Sequence, residues 1–508
     1  MYKIVIDNDN HTIFEIETYK QTEIQVNPTE MKLFNNDQFN LNGEIIYSSV
    51  RLNKYNAGVL VLNKTHGKYG TKFLYLCKPD DKRLPYFLVP FSLPTSFNKI
   101  KKEHYITFEF KHWNDKHPIG LITQNLGPVD DPCNFYEYML YCKTLNISIQ
   151  SFTQDVYKET KKSNNIIDAI IDKYNIPFRN ENVFTIDSEN SIDLDDAVSI
   201  KGDIISIYIA NVGIILEYLD LWGSFTNRIS NIYLPDKRRD MLPKALAQMC
   251  SLNKGSKRIC FVMDFNTITN ETHLSVCYTI IQNNYSYNDA DLLVNEDYMK
   301  LSEYYKYKNG KEIVTMLMVK MNTECANYMK PYANGIYKIL KNENEKMNNS
   351  DYEIYNDAVN YIHITSPIRR LVDILNMYQI SINEKLFQFG DNASRFYNKW
   401  LNQIDYINVC ARNIRKVQSK CKILATCENH AIYKGKIFDK IIINNKYKYN
   451  YQVFLTDLNV YCKLLCDTDL NESNEYKFKL FIFNDESQLK KKIKIELWLD
   501  DIPILDIF

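Results

Sequence analysis

Four aspartates, Asp187, Asp193, Asp195 and Asp196, lie close together directly after the apolar run Val183 to Ile186. Carboxylates this close repel one another, so a folded chain keeps them together when something positive sits among them. Mg²⁺ suits that place: it is a small hard cation that takes carboxylate oxygens, retains water and binds substrate phosphate. Two such ions, about 3.5–4 Å apart, would generate a nucleophile and relieve charge on both oxygens of a phosphodiester displacement. A solvated acidic loop would give the same pattern, since carboxylates belong mostly to surfaces. A calcium EF-hand fits poorly. Counted from Asp193, the fifth position is Ala197, and neither the sixth-position Gly nor the twelfth-position Glu is present.

A second stretch, Tyr361-Ile-His-Ile-Thr-Ser-Pro-Ile-Arg-Arg-Leu-Val-Asp373, lies far downstream. A third comprises Ile232-Tyr-Leu-Pro-Asp236, Met241-Leu-Pro243 and Cys250-Ser-Leu-Asn253. Together, in this order and spacing, the three blocks resemble the RNB family of exoribonucleases: bacterial ribonucleases II and R, the eukaryotic exosome nuclease and its relatives. That resemblance implies a Mg²⁺-dependent 3′→5′ exoribonuclease that hydrolyses single-stranded RNA to nucleoside 5′-monophosphates, with two Mg²⁺ ions and Mn²⁺ able to substitute. It implies that Asp187, Asp193, Asp195 and Asp196 are metal ligands. Asp187 and Asp196 would hold the tighter ion, Asp193 would help place the second, and Asp195 would orient or deprotonate the attacking water. Arg369 would contact the scissile phosphate, Thr365, Ser366 and Arg370 would contact RNA, and Tyr233 would pack on the terminal nucleotides. Arg370 also has a structural alternative, a salt bridge to Asp373.

Two departures from the family pattern bear on activity. Tyr208-Ile-Ala-Asn211-Val-Gly213-Ile214 stands where the family reads H-I-A-D-V-S-H, and the family's paired glutamates fall on Met316 and Leu317. An RNA-binding or assembly subunit that keeps the fold and has lost turnover is therefore the alternative function.

The elements that must position these residues read as a multidomain α+β chain. Residues 1–50 form an N-terminal extension or partial OB unit. Residues 51–130 carry short β-rich runs broken by Gly, Pro and Asp at small-barrel spacing, resembling a cold-shock-type OB domain. Residues 131–178 read as a helical linker, 179–428 as the mixed α/β RNB catalytic domain, and 429–508 as an S1-like OB barrel. Within the catalytic region, Ile204 to Ile209 reads as a strand, and about 311–330 and 401–426 as long helices. The second helix carries Arg412, Arg415, Lys416, Lys420 and Lys422 with no acid between them, which is either a solvated face or an RNA-backbone track. In the last region Tyr447, Tyr449 and Tyr451 alternate, which puts three rings on one strand face. They are either core residues or a base-stacking platform, with the nearby Lys490-Lys-Lys492 adding phosphate contacts.

Composition bounds the reading. The 508 residues have zero formal net charge, 45% hydrophobic and 24% charged content, as in ordinary globular chains. Any RNA-binding charge must therefore be concentrated locally. The 12 cysteines include no CxxC pair and read as buried thiols in a reducing compartment. No apolar run reaches a membrane span. The expectation is a soluble cytoplasmic monomer that binds single-stranded RNA and no membrane, with association into an RNA-processing complex left open. No P-loop or GxGxxG suggests a nucleotide-driven motor.

Overall fold

The structure is a computed structural model that describes residues 1–7, 10–92, 102–163, 165–307, 309–339, 351–356, 358–443, 448–485 and 490–498. The chain divides into two compact units. One comprises Met1–Asn146, Leu234–Lys237 and Arg415–Phe508; the other comprises Ile147–Tyr233 and Arg238–Ile414.

The first unit opens with a four-stranded sheet of Tyr2–Asp7, Asn10–Glu15, Gln38–Phe39 and Ile45–Tyr47. Ile4, Ile13, Leu33 and Phe39 form its small core. A closed five-stranded barrel follows, built from Asn56–Tyr69, Lys72–Pro79, Phe87–Phe91, His104–His112 and Ile119–Pro128. Alternate residues such as Leu60, Leu62, Tyr75, Cys77, Phe87 and Val89 fill it. Gly58 is needed where the strands crowd: a Cβ there would lie 2.6 Å from Cys77 Sγ. The N-terminal region contributes Phe34 to this core, where its ring stacks on Trp113 with centroids 5.0 Å apart. Helix Pro132–Cys142 begins with Asp131 as a side-chain cap and Pro132 in its first turn, the arrangement favoured at helix starts. Its Tyr138 stacks on Tyr105 at 4.3 Å.

The C-terminal part of this unit is a five-stranded antiparallel sheet, ordered Val460–Cys466, Tyr449–Leu455, Ile432–Ile442, Glu475–Asp485, Lys490–Trp498. Tyr449 and Tyr451 are buried in its core with Val453 and Leu455. They are therefore core residues and present no platform to solvent. Tyr447 and the Lys490 side chain lie outside the described residues.

The second unit is centred on another closed barrel, formed by Val183–Asp187, Asp196–Lys201, Ile204–Ala210, Lys257–Asn266 and Thr272–Ser286. The first strand pairs in parallel with the last, Asp187 opposite Ser286, and this contact closes the ring. Phe184, Ile186, Val198, Ile207, Phe261 and Met263 form its core. Against it packs helix Gly310–Met329, whose Ile313, Leu317, Met321, Cys325 and Met329 make a buried stripe at helical spacing. Gly310 permits the approach: a Cβ there would meet Ile186 Cγ2 at 3.3 Å and the Tyr287 carbonyl oxygen at 3.4 Å. Helix Leu371–Asn383 is buried on most sides. All 12 cysteines are free thiols. No helix among the described residues is long and apolar enough to cross a membrane.

The basic helix Ile404–Thr426 is not a bare cationic track. Arg412 is ion-paired with Asp351, and Lys420 lies over the Phe135 ring at 5.3 Å. An acid and a ring distant in sequence supply the partners that the helix itself lacks.

Candidate active site

The acidic stretch leaves the barrel at the end of Val183–Asp187 and re-enters it with Asp196. Backbone hydrogen bonds hold the intervening loop. Tyr287 N donates to the Asp187 carbonyl at 2.9 Å, and Ala210 N donates to the Asp195 carbonyl at 2.9 Å. Leu194 N donates to Ser251 Oγ at 3.0 Å, while Leu252 N donates to the Leu194 carbonyl at 3.0 Å. The Cys-Ser-Leu-Asn block therefore serves as a brace for the acidic loop. These bonds hold the loop backbone apart from any contact made by the carboxylates.

The other two blocks are joined edge to edge. Asn231 N donates to the Arg369 carbonyl at 3.0 Å, and Leu371 N donates to the Ile229 carbonyl at 2.9 Å. Asp195 then ties them to the acidic loop: its Oδ1 accepts from Ile368 N at 2.8 Å, and its Oδ2 lies 3.4 Å from Arg369 Nε.

The result is a cavity of about 510 Å³ lined by Asp187, Asp193, Asp195, Asp196, Thr365, Ser366, Arg369 and Arg370 among others. Tyr233 is not in this lining. Its ring is exposed on the short hairpin of Ile232–Tyr233 and Arg238–Arg239, close enough to Arg369 to interact electrostatically. Ser366 Oγ accepts from Arg369 Nη2 at 3.0 Å, and Ser366 N donates to Asp373 Oδ1 at 2.7 Å. Thr365 is buried beside Asn322. Arg370 Nη2 pairs with the fully buried Asp373 at 2.9 Å, so it braces the start of helix Leu371–Asn383 while also lining the cavity.

Burial dominates the electrostatics. It pushes the Asp187 carboxyl up to about 6. It takes Asp195 to about 7 against the opposing pull of Arg369. Asp196 is held well above the usual range by burial and by the neighbouring Asp187 and Asp195 charges. Asp193 is also raised by burial, although Arg238 opposes the shift. Partial burial lowers Arg369, whose side chain is 48% exposed, but Asp195, Tyr233 and Asp196 outweigh this and keep it charged.

The donor set fits a hard divalent cation. Asp187 Oδ2 is a buried oxygen with no hydrogen-bond partner, and among the described residues neither Asp187 nor Asp196 forms an ion pair. Oxygens with unmet demand are what Mg²⁺ takes. Among the described residues no three acidic, His or Cys side chains already converge on one point.

Several lining residues carried no sequence signal, namely Tyr287, Asn322 and Lys338, while Tyr361 and His363 lie in the second block without an implied role. Arg238 was missed as well. Its Nη1 lies 2.7 Å from Asp193 Oδ2, and Asn231 Nδ2 donates to that same oxygen at 3.1 Å. The two departures fall elsewhere. Asn211 caps helix Val212–Tyr218 by accepting from Ile214 N at 3.1 Å, and neither it nor Gly213 or Ile214 lines the cavity. The cavity face of helix Gly310–Met329 consists of Val314, Thr315, Met318, Val319 and Asn322. Met316 is exposed and Leu317 is core.

Residues 176–298 match the family model described as the RNB domain, and residues 74–134 match that of the Dis3-like cold-shock domain 2. The chain carries an RNB domain. It is 30% identical over 200 residues to DIS3-like exonuclease 2 of Schizosaccharomyces pombe, covering 36% of this chain and 21% of that protein. The matched stretch thus spans about a fifth of that curated relative's length. Mycoplasma genitalium RNase R, solved in complex with ribose-methylated single-stranded RNA, superposes with a TM-score of 0.65 at 14% identity, covering 97% of this chain and 100% of that one. Yeast Ssd1, described as a pseudonuclease, superposes with a TM-score of 0.52 at 14% identity, covering 86% of this chain and 69% of that one. At these identities the two structures speak for the fold of the RNB-domain chain alone.

Proposed function

We propose that this RNB-domain chain is a divalent-cation-dependent 3′→5′ exoribonuclease that hydrolyses single-stranded RNA to nucleoside 5′-monophosphates. The observation that carries the reading is the single cavity lined by all four aspartates and Arg369. Its named relatives, an exonuclease and an RNase R, support the same direction.

Asp187 and Asp196 are the residues that would hold Mg²⁺ or Mn²⁺. When bound, such a cation relieves charge on the phosphate and makes water more acidic. Arg369 stays charged through the reaction and offers a planar fork to two phosphate oxygens. Its hydrogen bond to Ser366 Oγ and its proximity to Asp195 fix where that fork points. Asp195, with its carboxyl near neutrality, is tuned to take a proton from the attacking water. The water oxygen bonds to phosphorus, the bond to the penultimate 3′ oxygen breaks, that oxygen takes up a proton from solvent to become the new 3′ hydroxyl, and a nucleoside 5′-monophosphate leaves. Tyr233 offers an exposed ring for sequence-indifferent stacking on the terminal nucleotides. Single-stranded RNA is the partner that this site chemistry calls for.

A second reading, an RNA-binding subunit without turnover, draws on Asp193, whose Oδ2 is already held by Arg238 and Asn231. One assay separates the two. On 5′-labelled single-stranded RNA, the nuclease shortens the 3′ end in single steps only when Mg²⁺ is present. Internal fragments as first products overturn the exonuclease reading, and RNA binding without shortening establishes the second one.

A further inference from the structure

Two arginines divide the four acids unequally. Arg369 faces Asp195, and Arg238 faces Asp193. Arg238 is itself anchored on its far side by an ion pair from Nε to Asp240. The hairpin that pairs Ile232 with Arg239 and Tyr233 with Arg238 turns this side chain back toward the acids. Its side chain is 21% exposed and that of Asp193 is 7% exposed, so the pair is shielded from bulk water. Asp193 Oδ2 has two donors, Arg238 Nη1 and Asn231 Nδ2. Asp187 and Asp196 form no ion pair among the described residues; Thr185 hydrogen-bonds to Asp187, and the Arg369 charge reaches both acids from a distance.

A second divalent ion beside Asp193 would have to displace a guanidinium that is tied at both ends. Breaking a shielded, hydrogen-bonded pair leaves a buried charge without its partner, which is strongly unfavourable.

We propose that Arg238 stands in for a second divalent cation at Asp193, so that the site takes one cation, at Asp187 and Asp196, where the sequence resemblance implied two. The inference rests on the metal-dependent reading above. A guanidinium supplies charge and N–H donors at a fixed place, but it leaves no open position for water. The task of accepting the water's proton then falls to Asp195.

The test is a count of Mn²⁺ ions bound by the full chain, read from the electron paramagnetic resonance signal of free Mn²⁺ during titration. Wild type should bind one ion per chain. Arg238→Met should bind two, and Arg238→Lys, which keeps the charge, should bind one. Arg238→Gln keeps hydrogen-bonding capacity without charge, and it gives the same count of two if the methionine variant does not fold. Two ions in wild type overturn the inference, as does a single ion in a neutral variant whose melting curve shows it folded. No binding by wild type is a different failure, because it removes the metal-dependent reading and the inference with it.

Discussion

Asp195 meets three constraints at one residue: it is buried, it anchors Ile368 N, and it faces Arg369. In Asp195→Asn the amide oxygen can still accept from Ile368 N, so the fold and the RNA groove should survive. Turnover should fall by about 10²–10⁴-fold, the usual worth of a proton acceptor. Single-turnover decay and RNA binding on one preparation check this, and an unchanged rate removes Asp195 from its role. Arg369→Lys should lower kcat by about 10²–10³-fold with little change in ground-state RNA affinity. A stable and fully active lysine variant would make Arg369 dispensable. The acids also predict a pH dependence. Asp195 and Asp187 are raised to about 7 and about 6, so without cations the folded state binds more protons than the unfolded chain up to those values. Stability in EDTA should therefore fall as pH rises from about 4 to about 7. Added Mg²⁺ should raise the melting temperature more at pH 8 than at pH 5, because cation and protons compete for the same oxygens. The opposite slope would show that the carboxyls are not held up by burial. At this scale the aspartates stood out by type and spacing and Arg369 only through the resemblance of its block to the RNB family, and one cavity brings them together. Arg238 was not, since its role depends on a hairpin of two-residue strands too short to leave a periodic signal.

The Tyr449–Leu455 strand shows what alternation can and cannot say. A period of two places Tyr449 and Tyr451 on one face, but it does not reveal whether that face meets solvent or core. The structure turns it inward, where Tyr451 Oη also accepts from Leu470 N at 2.9 Å. Tyr451→Ala should cost about 3–5 kcal/mol, in line with truncating a large core aromatic. Tyr451→Phe should cost about 1–3 kcal/mol by stranding the Leu470 amide. Hydrogen exchange across residues 449–455 reads both, and unchanged protection in Tyr451→Ala would return the ring to the surface. The helix Gly310–Met329 was legible in extent, because its apolar stripe repeats at helical spacing. Which uncharged residues turn toward the acids was not, because a stripe locates the core-facing side and leaves the neighbouring residues undetermined.

For the whole molecule, a small barrel, a mixed α/β acidic region and a terminal strand region could be read in order from strand and turn signals and the family resemblance, though not the closure of the acidic region into a barrel. The compact units could not, because one of them gathers residues 1–146, 234–237 and 415–508, and a linear reading runs past such returns. With Tyr449 and Tyr451 inside, the lysines of the terminal sheet are candidates for phosphate contacts. The exposed Lys434 and Lys436 alternate along one strand, opposite Lys477 and Glu475 respectively. Lys434→Ala combined with Lys436→Ala should weaken binding to long RNA and flatten the salt slope by about 1.4, at about 0.7 per phosphate contact. An unchanged slope would make these lysines ordinary solvated surface.

The bond from Ile368 N to Asp195 joins residues 173 positions apart. During synthesis the aspartates leave the ribosome long before their anchor exists. A nascent chain that has not yet reached Thr365 carries every carboxylate of the site but lacks Arg369, the Ile368 amide and the edge on which Asn231 docks. The messenger being translated is itself single-stranded RNA, and it is close at hand throughout. If the chain is the nuclease proposed above, splitting the site across this span delays cutting competence until translation is well past the aspartates, and a chain interrupted earlier is released without it.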